Sequence, residues 1–176
     1  MRSIDIANLF IIRHGGSIWP TNLSLNKLVY LSQVESLRCT DGTPLFSDAI
    51  EAWDYGPVEP AVYHSFKGYG RATIDRPSAS GMLNVSDFPG GAVDIVDGVA
   101  EKYGRLTPFD LVNITHRPGG AWRSRYVRGQ NNEIRINDIM ESCDYRLEPD
   151  LEDTLIACVI AAKRKWPNAL RMLEDS

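Results

Sequence analysis

The chain has few cysteines, no long hydrophobic run and no marked excess of either charge. Its three cysteines, Cys39, Cys143 and Cys158, are odd in number and far apart, so they offer neither a disulfide framework nor the paired spacing of a zinc site. They read as reduced thiols in a cytoplasm. The first apolar stretch, Leu9 to Ile12, ends in Arg13-His14 and is too brief for a signal-peptide core or a membrane span. The longest later stretch, Leu155 to Ala162, stops at Lys163-Arg164-Lys165. A soluble cytoplasmic protein without membrane contact is expected. Lys+Arg 19 against Asp+Glu 23 leaves a net charge of −4, which argues against a general electrostatic grip on nucleic acid. A nucleic-acid role would need a local patch. Also missing are a glycine-rich loop followed by Lys-Ser/Thr, a Gly-x-Ser-x-Gly elbow and a His-Glu-x-x-His helix. Phosphate-cradling, acyl-transfer and zinc-peptidase chemistry thus lack their usual signatures, and no cofactor or metal is expected.

What is present is a chain of 176 residues, 43% hydrophobic and 24% charged, enough for one domain over 1–176 with a real core. Ile4, Ala7, Asn8, Ile11 and Ile12 fall on one helix face, and Gly15-Gly16 is expected to stop that helix. Ser24 is a candidate N-cap for a second helix carrying Leu25, Leu28 and Leu31 as far as Asp41-Gly42. Ile50 to Tyr55 reads as a short strand terminated by Gly56-Pro57, and Pro60 opens a third helix with Val62, Phe66 and Tyr69 on one face. From Arg71 to Gly91 the chain is rich in Pro, Gly and Ser, which predicts a mobile insertion with one strand near Met82 to Val85. Val93, Val96, Ala100 and Tyr103 form a further stripe ended by Gly104, and Thr107-Pro108-Phe109-Asp110 caps the next helix, which Arg117-Pro118-Gly119-Gly120 ends. Ile134 and Ile136 suggest a strand, and Asn137 a cap for a short helix through Met140. Asp150 or Asp153 would open the last long helix, through Lys165, with Pro167 starting a terminal turn or helix. The expected fold is mainly α, a compact bundle of about six to seven helices with a minor short β element.

Few residues suggest chemistry. His14 and His64 read as surface or structural. His116, at a helix end ahead of Arg117 and Trp122, is the one histidine that could act as a general acid, with Glu51 as its carboxylate partner. The competing reading is a histidine whose ring bonds fix a turn. Glu51 and Asp54 flank Trp53 either as paired carboxylates or as solvated, salt-bridged groups. Arg117, Arg123, Arg125 and Arg128, with Trp122 and Tyr126 among them, form a basic and aromatic patch. It suits contact with nucleic acid or with an acidic protein, or else it is a solvated loop anchored by its aromatics.

Leu28-Val29-Tyr30-Leu31-Ser32-Gln33, then Pro44-Leu45-Phe46, then Glu51-Ala52-Trp53-Asp54-Tyr55-Gly56-Pro57-Val58-Glu59-Pro60-Ala61-Val62-Tyr63 resemble the Panacea antitoxin domain family, also called SocA-like or GepA-like phage-associated. Its hallmark is the Glu-Ala-Trp-x-Tyr-Gly-Pro-Val block. A second block matches in Tyr103-Gly104, Leu111, Thr115-His116 and Trp122, and the anchors run from the first helix to about Ile139. Ala121 stands where the family usually has proline, and Ser32 where it usually has alanine. The resemblance implies a mainly helical antitoxin, in bacteria or their prophages, that binds and neutralises a toxin encoded beside it. In the SocA-like branch it implies delivery of the toxin to the ClpXP protease. A small hydrolase using Glu51 and His116 to reverse the toxin's modification is the alternative. Under the resemblance Tyr30, Gln33, Glu51, Trp53, Tyr55, Gly56, Pro57, Tyr63, His116 and Trp122 build the shared scaffold. Arg117, Arg123, Arg125, Tyr126 and Arg128 are then the candidate partner contacts.

Overall fold

The structure, a computed structural model, describes residues 1–152 and 154–165. Asp153 and the segment from Pro167, where the sequence suggests a helix start and a terminal turn, lie outside the described residues. The fold is mainly helical with a small antiparallel sheet, as expected, and the helices beyond the expected number are short ones. In chain order they are α1 (Ser3–Ile18), α2 (Asn22–Cys39), α3 (Pro60–Phe66), α4 (Gly90–Tyr103), α5 (Pro108–Thr115), α6 (Ala121–Arg125), α7 (Ile136–Glu141), α8 (Cys143–Arg146) and α9 (Leu155–Lys165). The strands are β1 (Ile50–Trp53), β2 (Gly56–Val58) and β3 (Asn132–Ile134), in the order β2-β1-β3.

Helix α2 is the axis of the molecule, packed by α1, α3, α4, α5, α8 and β2. Leu25, Leu28, Val29, Tyr30 and Leu37 are buried along it, each leucine contributing roughly 1.5–3 kcal/mol by leaving water. A helix buried on all sides must also satisfy its polar groups, and α2 does so by tying down its neighbours. The Gln33 amide donates to the Phe46 carbonyl at 3.1 Å and accepts from the Leu45 and Phe46 N–H groups. Asn26 Oδ1 accepts the Glu59 N–H at 3.1 Å. Its N-cap is Thr21, not Ser24: Ser24 occupies the third helical position and closes a reciprocal box with Thr21.

Helix α1 runs through Gly15-Gly16 and stops at Ile18, with Trp19 in the left-handed region at φ 48°. The glycines do not end it because Ile18 packs on Gly104, where an added Cβ would come within 2.6 Å of the isoleucine. Tertiary contact here outweighs local glycine entropy. The segment 71–91 contains no strand at Met82–Val85; a single 3-10 turn spans Val85–Asp87. It is fastened to α1, since Asn8 donates to the Ser78 and Met82 carbonyls and accepts the Ser78 N–H at 2.7 Å, while Asp5 accepts the Met82 N–H. Ile74 and Phe88 in it are buried.

Gly56-Pro57 does not end the β element but begins its second strand. Trp53 pairs with Gly56 across a tight turn of Asp54 and Tyr55, and β3 pairs with β1 through Ile50↔Ile134. The turn after Arg117 leads directly into α6, and α8 follows α7, two short helices the sequence pattern does not announce.

Candidate functional site

The hallmark block forms the β1–β2 hairpin, and several distant elements hold it. Gly56 has φ 104°, and a Cβ there would lie 2.8 Å from Lys27 Cε and 3.0 Å from Thr115 Oγ1. Glycine is thus required both by its backbone and by the closeness of α2 and α5. From below, Lys27 Nζ donates to the Pro57 carbonyl at 2.7 Å. From the side, the Trp122 indole donates to the Trp53 carbonyl at 2.8 Å. Trp53 in turn donates to Glu51 at 2.7 Å and meets Tyr63 of α3 edge to face, centroids 4.8 Å apart.

Beneath the hairpin, three rings stack. His116 lies 3.6 Å from Trp122 at 5°, and Trp122 lies 4.6 Å from Tyr126 at 23°. Tyr126 Oη donates to Asp54 at 2.9 Å, closing the stack onto the hairpin tip. Burial, and after it the charges of Lys27 and Arg123, lower the His116 pKa to about 4, so the ring is neutral near pH 7. Its Nε2 is buried without a hydrogen-bond partner.

Glu51 and His116 are therefore not assembled as an acid–base pair. The Glu51 carboxylate is engaged by Trp53, and no hydrogen bond or ion pair joins it to His116 among the described residues. Glu51 sits on β1 opposite Glu133, and Asp54 at the tip serves Tyr126. Glu51 and Asp54 are thus not a carboxylate pair: an indole engages one and a phenol the other.

Of the candidate partner contacts, Arg117 turns inward. Its guanidinium bonds Asp144 at 3.0 Å and the Cys143 and Leu147 carbonyls at 2.7 and 2.9 Å. Asp144 is a buried hub that also accepts Tyr30 Oη at 2.7 Å and the Ala121 N–H at 2.9 Å. Through Tyr30 and Arg117 it docks α8 onto α2 and the turn after α5, and through the Ala121 N–H it starts α6. Arg125 is tied to the Glu133 carbonyl and, at 3.5 Å, to Asp138. Arg123 and Arg128 are exposed and make no ion pair among the described residues.

The sequence reading passes over a buried pair, Lys27 and Glu59, both fully inaccessible. Neither Glu59 carboxylate oxygen has a hydrogen-bond partner. Burial pushes the Lys27 ammonium down and the Glu59 carboxyl up, and their mutual attraction opposes both shifts. The available signals were Lys27 lodged among Leu25, Leu28 and Val29, and Glu59 between the hallmark valine and Pro60.

Beside the hairpin lies a cleft of about 600 Å³, with Asn22 and Asn26 in its wall, Trp53, Tyr55 and Tyr63 as its aromatics, and Lys67 and Arg71 in and just beyond the 3-10 turn that follows α3. No described helix is long and apolar enough to cross a membrane.

A family model for the antitoxin SocA-like, Panacea domain matches residues 25–123, from α2 to the middle of α6. Antitoxin SocA of Caulobacter vibrioides (strain NA1000 / CB15N) is 32% identical over 133 residues, 69% of this chain and 70% of that protein. No solved structure matches the chain significantly. The residues that build the hairpin, their supports on α2, and His116 and Trp122 of the ring stack thus lie within the matched span, with Tyr126 just beyond it, and the chain belongs to the SocA-like, Panacea-domain family of antitoxins.

Proposed function

We propose that this protein is an antitoxin that neutralises a toxin encoded by the adjacent gene through direct protein–protein binding, without catalysing a reaction. The observation that carries the binding reading is the separation of Glu51 from His116: the titratable residues of the family blocks are spent on holding the hairpin. Exposed cations and aromatics remain nearby, and such groups anchor interfaces at little entropy cost. Arg123 and Arg128 are the arginines of the basic patch that are free to meet an acidic partner. Arg117 and Arg125 support the fold.

Changing Arg123 and Arg128 together to Glu should weaken neutralisation in cells co-expressing the adjacent gene, with the thermal midpoint of the purified protein unchanged. Rim charges of this kind act through encounter and charge match more than through packing. Full protection by that variant would remove these arginines from the interface. Rescue of growth without a stable complex would instead favour enzymatic reversal or delivery to ClpXP, which the toxin's level over time separates.

A further inference from the structure

The cleft beside the hairpin has a charge that sets it apart from the rest of the chain. The protein carries a net −4, yet the cleft's exposed charged side chains are Lys67 and Arg71 against Asp54 alone. Asp54 is engaged by Tyr126. Lys67 and Arg71 make no ion pair or hydrogen bond among the described residues. Lys27 in the floor is fully buried and spends its ammonium on the Pro57 carbonyl, so it is not counted among the exposed charges. Arg128 directly precedes Gly129, which also lines the cleft.

Between these cations stand the aromatics. Tyr55 is 67% exposed at the hairpin tip, a costly position for a tyrosine unless its ring meets something. Trp53 and Tyr63, locked edge to face, are partly open to the same space. Trp53 is held by its bond to Glu51, and the Tyr63 ring packs edge to face on it while the Tyr63 backbone accepts from Asn22 at 3.2 Å. A rigid aromatic wall with unpaired cations at its rim is preorganised for one kind of visitor, and little ordering entropy is lost on its arrival.

From this juxtaposition we infer that the cleft between the β1–β2 hairpin and α3 receives an acidic segment of the toxin, inserting an aromatic or aliphatic side chain between Tyr55, Trp53 and Tyr63 while its carboxylates meet Lys67, Arg71 and Arg128. This rests on the antitoxin reading and gives it a place. It also assigns Tyr55, the exposed aromatic of the hallmark block, to recognition and leaves the buried Gly56, Pro57 and Val58 to the scaffold.

The test begins with a probe that needs no toxin: a fluorescein-labelled peptide Glu-Glu-Phe-Glu-Glu, with Lys-Lys-Phe-Lys-Lys as its opposite, followed by anisotropy on the full chain. The acidic peptide should bind saturably and the basic one should not. Lys67→Glu with Arg71→Glu should weaken binding by about tenfold or more, and so should raising salt from about 0.05 to about 0.5 M. Tyr55→Ala should weaken it without the salt dependence changing. Arg105→Glu, exposed in the α4–α5 loop, should leave it intact. Unfolding is controlled by the thermal midpoint of each variant. The toxin should then displace the peptide. Equal binding of both peptides, or indifference to the double reversal, overturns the cleft assignment. A toxin that binds the wild type and the double reversal equally overturns it too while leaving the antitoxin reading standing. Displacement by ATP but not by the toxin overturns it in favour of a nucleotide site. Peptide binding with no toxin binding or rescue at all fails the antitoxin reading, and the inference about the toxin falls with it.

Discussion

Lys27→Met removes a buried cation and leaves its volume nearly unchanged, which isolates electrostatics from packing. Two consequences follow from the structure. The Pro57 carbonyl loses its 2.7 Å donor, a loss of roughly 1.5–3 kcal/mol for a bond to a charged group. Glu59, already without a hydrogen-bond partner for either oxygen, loses the one charge that favours its ionised form. Breaking a contacting buried ion pair costs about 3–5 kcal/mol, an upper bound here because no hydrogen bond or ion pair joins Lys27 to Glu59. The lower end is expected here because Glu59 can take up a proton rather than stay charged. For a chain of this size about 3 kcal/mol lowers the melting temperature by roughly 6–12 °C. The deficit should also depend on pH. A carboxyl whose pKa is raised by folding contributes stability below its unfolded value of 4.5 and loses it as pH rises. The wild type shares that loss up to about pH 8, its own folded value, and only above it ionises Glu59 beside Lys27, so the deficit of Lys27→Met should be smallest near pH 5 and widen above about pH 7 to 8. Adding Glu59→Gln should recover the part of the loss that appears above pH 8, a coupling readable from a double-mutant cycle in urea near pH 9. A single variant as stable as wild type at pH 8, or additive behaviour in the cycle, would refute the account of this pair.

Gly56→Ala places a methyl 2.8 Å from Lys27 Cε at a φ of 104°. Strain and overpacking together should cost roughly 2–4 kcal/mol, and a denaturation midpoint within error of wild type would show the hairpin to be looser than described. His116 is held neutral in the fold, with a pKa of about 4 against 6.5, so its contribution is present above pH 6.5 and is lost as pH falls toward 4. That displacement caps the loss at roughly 3 kcal/mol, and solvent at the half-open ring reduces it to about 1–2 kcal/mol. His116→Phe should flatten the stability profile between pH 6.5 and 4, and profiles that stay parallel would count against the buried neutral ring. Asp144→Ala strands Tyr30 Oη, the Ala121 N–H and Arg117 at once. At about 1–3 kcal/mol for each unsatisfied group it should abolish soluble folded protein, and normal yield with a normal melt would refute the hub.

Much of the helical frame is legible because its signals are local. Thr107, Pro108 and Asp110 predict the start of α5, and the structure shows the reciprocal cap they make. Pro60 marks α3 in the same way, and the alternation of Ile50 to Trp53 marks β1. The misreadings arise where a distant residue decides. Gly15-Gly16 continue a helix because Gly104 leaves room for Ile18. Gly56-Pro57 continue a sheet because β1 supplies the partner strand. The Ala121 N–H that begins α6 is satisfied by Asp144, 23 positions on.

The site is legible to a different degree. Trp53, Tyr55, Gly56, Trp122 and His116 stand out as a family pattern, but the pattern does not say what each touches. Arg117 and Arg123 look alike in sequence, and only the position of Asp144 separates a strut from a surface cation. Lys27 and Glu59 lie 32 positions apart, and their charges interact because α2 is bonded to the hairpin at Pro57. The hallmark block is accordingly a rule for fastening a hairpin to a central helix, and the partner would be read by what surrounds it.

The most direct measurement is to titrate the purified product of the adjacent gene with this protein while recording the toxin's activity, its mass and the mass of any complex in the same samples. Direct neutralisation predicts that activity disappears at a fixed molar ratio, with the toxin intact and a complex of that ratio in solution. Activity lost at substoichiometric amounts of this protein, with the toxin chemically altered and no complex formed, would contradict it.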